Sequence, residues 1–209
     1  MRPQAYTPII VGTVGAQTTQ QAIHYCQDAA ANGGDFALVL PPAYYASALA
    51  KQDIERFYVD VAGASPLPVL IYSYPAVSGG IDMDTDLLST LAKHDNIVGI
   101  KHTDHSLSKQ TRLASLRHTF GTFSVLGGAS DYLLASLSVG AQGCITGMGN
   151  VAPRTVMRAY NAFRAGELDE ARNLAGEIAH GEWALGKGSI NGVKVSKRSS
   201  VSIIMAPAE

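Results

Sequence analysis

A chain of 209 residues with 46% hydrophobic residues and a net charge of −1 can bury one substantial core, and one domain is the expectation. The balanced charge argues against nucleic acid and anionic lipid as partners, because both need a basic excess. No apolar run approaches the ~20 residues that span a bilayer, so no membrane-crossing helix is expected. Met1-Arg2-Pro3-Gln4 leads directly into an apolar strand pattern. No signal or transit peptide is therefore expected, and the compartment expected is the cytoplasm. Cys26 and Cys144 lie far apart in core-like patterns, which favours reduced thiols over a disulfide.

Short apolar runs alternate with helical patterns along the chain. Pro8-Ile9-Ile10-Val11-Gly12-Thr13 reads as a buried strand, and Thr18-Thr19-Gln20-Gln21 has the form of a capping box. Ala22, Ile23, Cys26 and Ala30 then recur at helical spacing, closed by Gly33-Gly34. Phe36 to Leu40 is a second strand, stopped by Pro41-Pro42, and Ile54, Phe57, Tyr58 and Val61 mark one face of the next helix. Val69 to Tyr74 is the third strand, ended by Pro75. Asp84 to His94 is a helix, Ile97 to Lys101 a fourth strand, and Lys109 to Thr119 a weaker helix. Phe123 to Leu126 and Gly143 to Thr146 are strands five and six, with a short helix through Leu133, Leu134 and Leu137 between them. Two helices follow, through Val156 to Phe163 and through Leu168 to Ile178.

This beat of βα units, with strands apolar throughout, predicts an α/β fold with a parallel sheet covered on both faces. An open doubly wound sheet and a closed (β/α) barrel both fit, although a closed barrel of eight units usually needs about 250 residues. The expected division is a domain over residues 1–187 and an irregular, Ser- and Lys-rich tail over 188–209.

Lys101 ends an otherwise apolar strand. A lysine taken out of water tends toward the neutral amine, a nucleophile that forms an imine with a ketone. Alternation puts Gly99 and Ile97 on its side of the strand, and Gly99 is expected to leave open space beneath the amine. Tyr72 ends the preceding strand and would share a rim with Lys101, where a phenol can relay protons. His102, Asp104 and His105 imitate a metal site, but three candidates in so short a stretch seldom converge on one ion. Gly147-Met148-Gly149-Asn150-Val151-Ala152 imitates a dinucleotide fingerprint, yet no strand with a terminal acid follows at the required distance.

Ile71-Tyr72-Ser73-Tyr74-Pro75 followed by Asn96-Ile97-Val98-Gly99-Ile100-Lys101 resembles the dihydrodipicolinate synthase and N-acetylneuraminate lyase family of pyruvate-dependent class I aldolases. Val11-Gly12-Thr13, Pro42-Ala43-Tyr44-Tyr45 and Gly140-Ala141-Gln142-Gly143 with Asn150-Val151-Ala152-Pro153 agree in order. The resemblance covers about Ile9 to Gly186. It implies a (β/α)8 TIM barrel, here incomplete, with about six βα units, the first two missing, and C-terminal helices. It implies Lys101 as the imine-forming lysine and Tyr72 as the proton relay. Tyr44 or Tyr45 becomes the aromatic residue that reaches a neighbouring subunit's site, and Gly128 and Ile145 become backbone positions lining the substrate pocket. It further implies no metal or organic cofactor, a small keto acid as substrate, and a homo-oligomer, by family habit a tetramer. A mitochondrial location follows if a transit peptide belonged to the missing portion.

The departures carry information too. The family's Gly-Thr-Thr-Gly-Glu-like loop, which binds the pyruvate carboxylate, has no counterpart here. The resemblance therefore implies a fragment with unpaired strand edges, and the alternative to an active aldolase is a catalytically dead fragment that binds a full-length paralogue. In the synthase branch an arginine stands where this chain has Val77, which removes a bidentate carboxylate clamp. Dihydrodipicolinate synthesis thus ranks behind cleavage of 4-hydroxy-2-oxoglutarate or a 2-keto-3-deoxy sugar acid, and sialic acid cleavage is kept as an alternative to these.

Overall fold

The structure, a computed structural model, describes residues 7–116, 119, 123–188 and 190–196. These fall into two compact units divided between Val125 and Leu126.

The first unit contains β1 (Ile10–Thr13), α1 (Thr19–Ala31), β2 (Phe36–Val39), α2 (Lys51–Ala64), β3 (Val69–Ser73), α3 (Thr85–Leu91), β4 (Ile97–His102) and α4 (Leu107–Ser115). It also takes in the start of β5 (Ser124–Gly127). Its strands β1 to β4 are parallel and lie side by side in chain order. A doubly wound sheet reverses that order at its switch point, so the sequential order selects the winding of a (β/α) barrel. The second unit contains the end of β5, α5 (Leu133–Ser138), β6 (Gly143–Cys144), α6 (Pro153–Ala165) and α7 (Leu168–Lys187). There β5 pairs with β6 in parallel, Leu126 opposite Gly143 and Gly127 opposite Cys144.

Local chemistry explains the helix ends. The Thr18 hydroxyl accepts the Gln21 N–H, while the Gln21 amide oxygen accepts from Gln17 rather than from Thr18. The box expected from sequence thus closes one residue earlier. Asp84 caps α3 by accepting the Leu87 N–H. Pro153 opens α6, where a missing N–H costs nothing, and Gly166 closes it at φ 81°. Ser106 caps α4, which therefore starts at Leu107, before the Lys109 expected from sequence, and ends at Ser115.

Other expectations need correction. β1 is buried only at its end: Thr13 is buried, but Ile10 at its start is 37% exposed and Ile9 before it 55%, because among the described residues β1 pairs only with β2. β6 is shorter than expected, because the Thr146 hydroxyl accepts the Met148 N–H and bends the chain into a tight helical turn. Residues 190–196 are helical, where composition suggested an irregular tail; residue 189 and residues 197–209 lie outside the described ones.

Gly99 is a close approach and not open space. A Cβ there would stand 2.5 Å from the Ser124 carbonyl oxygen in β5 and 2.9 Å from a Leu70 methyl in β3. Two strand backbones can be this near only over glycine. One residue earlier β4 carries an irregularity: Val69 pairs with Ile97 but Leu70 pairs with Gly99, so Val98 is an extra residue. The alternation therefore holds from Gly99 to Lys101 and does not extend in step to Ile97.

Gly99→Ala is expected to destabilise the chain by about 1–3 kcal/mol, because the nearest atom the new methyl group meets is a backbone oxygen that cannot swing aside. Gly63→Ala in α2, where a Cβ meets nothing within 4 Å, is expected to be neutral or stabilising by up to about 1 kcal/mol. Urea unfolding of the two variants checks both values.

Candidate functional site

The site is built where β3 and β4 end together. Tyr72 pairs in register with Lys101, and Ser73 with His102. Side chains alternate across a strand, so the first pair shares one face of the sheet and the second pair the other. Tyr72 and Lys101 are half-buried, whereas Ser73 and His102 are fully buried. The Lys101 Nζ donates to the Tyr72 hydroxyl at 2.9 Å and stands 4.1 Å from the centre of its ring. An amine touching a phenol at the end of parallel strands can attack a carbonyl and pass protons through the same contact.

The opposite face carries a polar network. Asp104, whose side chain is 3% exposed, accepts the Ser73 hydroxyl at 2.9 Å and the Ser106 N–H at 3.0 Å. His102 Nδ1 lies 3.2 and 3.1 Å from its two carboxylate oxygens. Since an ionised carboxylate only accepts, Nδ1 carries the proton. Lys109 donates to Asp104 at 3.2 Å and also pairs with Asp82. Burial alone would raise the Asp104 pKa. The hydrogen bond and charge of His102, the Ser106 N–H and the Lys109 ammonium outweigh that and hold it well below the usual carboxylate range. Elsewhere in this unit Tyr58 of α2 donates to the Val39 carbonyl of β2 at 2.9 Å. Its phenol is pushed well up by burial, with partial relief from the Tyr72 backbone.

Of the residues predicted from sequence, the structure brings Lys101 and Tyr72 into contact. Tyr44 and Tyr45 follow β2 as an exposed edge-to-face pair, ring centres 4.7 Å apart, 77% and 69% exposed. Their loop is held by the Gln17 amide oxygen, which accepts the N–H groups of Ala43 and Tyr44. Val77 is half exposed, at 50%.

Gly128 and Ile145 belong to the second unit. The Gly128 N–H donates to the Tyr132 hydroxyl, and the Ile145 N–H to the Gly127 carbonyl. Sequence reasoning missed Glu182 of α7, which ties together the loops after β5 and β6. It accepts the Ser130 and Asp131 N–H groups at 2.7 and 2.8 Å, the Ser130 hydroxyl at 2.6 Å and the Thr146 hydroxyl at 3.0 Å.

Sequence reasoning also missed Ser73 and Lys109, and weighed His102 and Asp104 only as metal ligands. A signal for them existed. Once Tyr72 and Lys101 face one way, the polar residues immediately after them must face the buried side and need a polar partner there.

Among the described residues no helix is long and apolar enough to cross a membrane. A sequence profile of the Dihydrodipicolinate synthetase family matches residues 5–196. An Emericella nidulans protein named "Probable 4-hydroxy-2-oxoglutarate aldolase, mitochondrial" is 40% identical over 192 residues, 92% of this chain and 61% of its own length. A Coccidioides immitis (strain RS) protein with an equally provisional name for the same activity and compartment is 45% identical over 176 residues. That match takes in 84% of this chain and 55% of the relative. The chain thus spans 55 to 61% of the length of these relatives. Among solved structures, YagE of E. coli K12 in complex with pyruvate, a member of the dihydrodipicolinic acid synthase family, matches with a TM-score of 0.82 at 28% identity. The match covers 93% of this chain and 64% of that one.

The Asp104 network makes stability depend on acid. The folded carboxylate has a depressed pKa, whereas the unfolded one protonates near pH 3.9. Its contribution is therefore present above about pH 4 and lost as pH falls further toward the folded value. Wild-type thermal midpoints are expected to fall from pH 5 to pH 3 more steeply than those of Asp104→Asn, which starts lower at neutral pH and has the flatter profile. Calorimetry across that range checks it.

Proposed function

Because the chain belongs to the Dihydrodipicolinate synthetase family, we propose that it is a Schiff-base-forming class I aldolase that cleaves a 2-keto-4-hydroxy acid to pyruvate and an aldehyde. The 2.9 Å contact between the Lys101 amine and the Tyr72 phenol is the observation that carries this reading. Lys101 adds to the C2 carbonyl, and Tyr72 protonates the hydroxyl of the adduct so that water leaves and an iminium remains. The phenolate then takes the proton of the C4 hydroxyl. As that O–H pair forms the aldehyde, the C3–C4 bond breaks and its electrons flow into the iminium as an enamine. Tyr72 returns the proton to C3, and hydrolysis releases pyruvate and the free amine.

The relatives' names, 4-hydroxy-2-oxoglutarate aldolase for two of them and L-threo-3-deoxy-hexylosonate aldolase for one from Hypocrea jecorina at 38% identity, support this substrate class. Val77 stands where the synthase branch has an arginine, which ranks dihydrodipicolinate synthesis lower. Gly128 and Ile145 are assigned to the pocket wall, and the exposed Tyr44–Tyr45 pair to contact with another copy in a homo-oligomer. No metal or organic cofactor enters the reaction. The compartment proposed is the mitochondrion, after the relatives' names, in place of the cytoplasm. A second reading, a chain that retains the ketone-binding lysine without turnover and assembles with a longer relative, is favoured by the exposed β1.

Borohydride reduction in the presence of pyruvate is expected to attach a reduced pyruvyl group to Lys101, located by peptide mass spectrometry. Lys101→Arg is expected to abolish the adduct. Tyr72→Phe is expected to slow aldol cleavage of 4-hydroxy-2-oxoglutarate about 10²- to 10⁴-fold. Trapping without cleavage of any 2-keto-4-hydroxy acid selects the second reading, and an unmodified Lys101 refutes both.

A further inference from the structure

We infer that Asp104 is a positioning residue for the Lys101–Tyr72 pair, acting from the opposite face of the sheet by locking the ends of β3 and β4 together. The inference rests on the aldolase reading of that pair and adds a determinant of its geometry.

The two strands need such a lock. Their register slips at Val98, three residues before Lys101, so the ladder below the bulge does not set the relative height of the strand ends. Above the bulge, Asp104 takes one hydrogen bond from each strand: the Ser73 hydroxyl from β3 and His102 Nδ1 from β4. Ser73 and His102 directly follow Tyr72 and Lys101 and are themselves a register pair. A displacement of either strand end that would separate the Lys101 Nζ from the Tyr72 hydroxyl must also stretch one of these bonds.

The carboxylate is itself immobilised. Ser106, the cap of α4, donates to it through its backbone. Lys109 from the next turn donates to it and pairs with Asp82, just before α3. Compared with an apolar packing of the same shape, a buried ionic network of this kind adds little stability, although removing one partner from it is costly. It does, however, tolerate few alternative geometries, and a contact that must hold within a few tenths of an ångström needs that property.

The test uses the full chain and follows the rate at which borohydride traps pyruvate on Lys101 as pyruvate is varied. Ser73→Ala and Asp104→Asn are expected to lower the rate at saturating pyruvate, about threefold and at least tenfold respectively. The half-saturating concentration should stay within twofold, since neither side chain touches the ketone. Asn96→Ala serves as the control. It deletes three hydrogen bonds, to the carbonyls of Ala62, Ser65 and Leu67, at the opposite end of β4. It is expected to lower the thermal midpoint while trapping at the wild-type rate. Ser73→Ala remains decisive where Asp104→Asn does not fold, because it removes one hydroxyl and leaves the carboxylate three donors. Wild-type trapping rates in the folded variants, or an equal slowing in Asn96→Ala, overturn the inference while the aldolase reading stands. Failure of the wild-type chain to trap pyruvate overturns both.

Discussion

The register of one strand pair governs this molecule's chemistry. Tyr72 and Lys101 lie on separate strands, 29 residues apart in sequence, and meet only because β3 and β4 are parallel and paired opposite one another at their carboxyl ends. A slip of one residue would turn one of the two side chains to the other face. The rest of the first unit can be read as a set of devices that hold that register. Gly99 lets the β5 backbone come against β4, the bulge at Val98 is absorbed below the site, and the Asp104 network closes the strands above it.

These devices divide the labour between apolar and polar forces. The helix-facing side of β3 and β4 is fully apolar at Ile71 and Ile100, both with no exposed surface, and burial there supplies most of the cohesion. Such packing is non-directional and tolerates small slides. The directional part sits where the strands end, at Ser73, His102 and Asp104, and it is there that two side chains must meet within hydrogen-bond distance. The second unit repeats the pattern. An apolar cluster that includes Leu133, Leu174 and Ile178 gives it cohesion, and the Glu182 carboxylate fixes the loops after β5 and β6.

Similarity to family members over most of this chain, but over little more than half of theirs, fits the strand order. Sequential parallel strands are the winding of a (β/α) barrel, and each βα unit contributes its own strand end to a common rim. Val77, where the synthase branch has an arginine, is a departure that composition or periodicity could never reveal.

Much of this was legible in the residues alone. The strands, the helices from α1 to α7 and the α/β class followed from apolar runs, caps and prolines, because those are local: each depends on residues within one turn or one strand. What the tertiary structure decided is everything set by neighbours distant in sequence. The exposure of Ile9 and Ile10 depends on what pairs with β1, the need for glycine at position 99 on the carbonyl of Ser124, and the true partners of His102 and Asp104 on which way the strand faces. A sequence lists which groups exist; only the folded chain brings Ser73 and Lys109 within hydrogen-bond distance of Asp104, since that closure is made by packing across loops whose geometry no local pattern encodes.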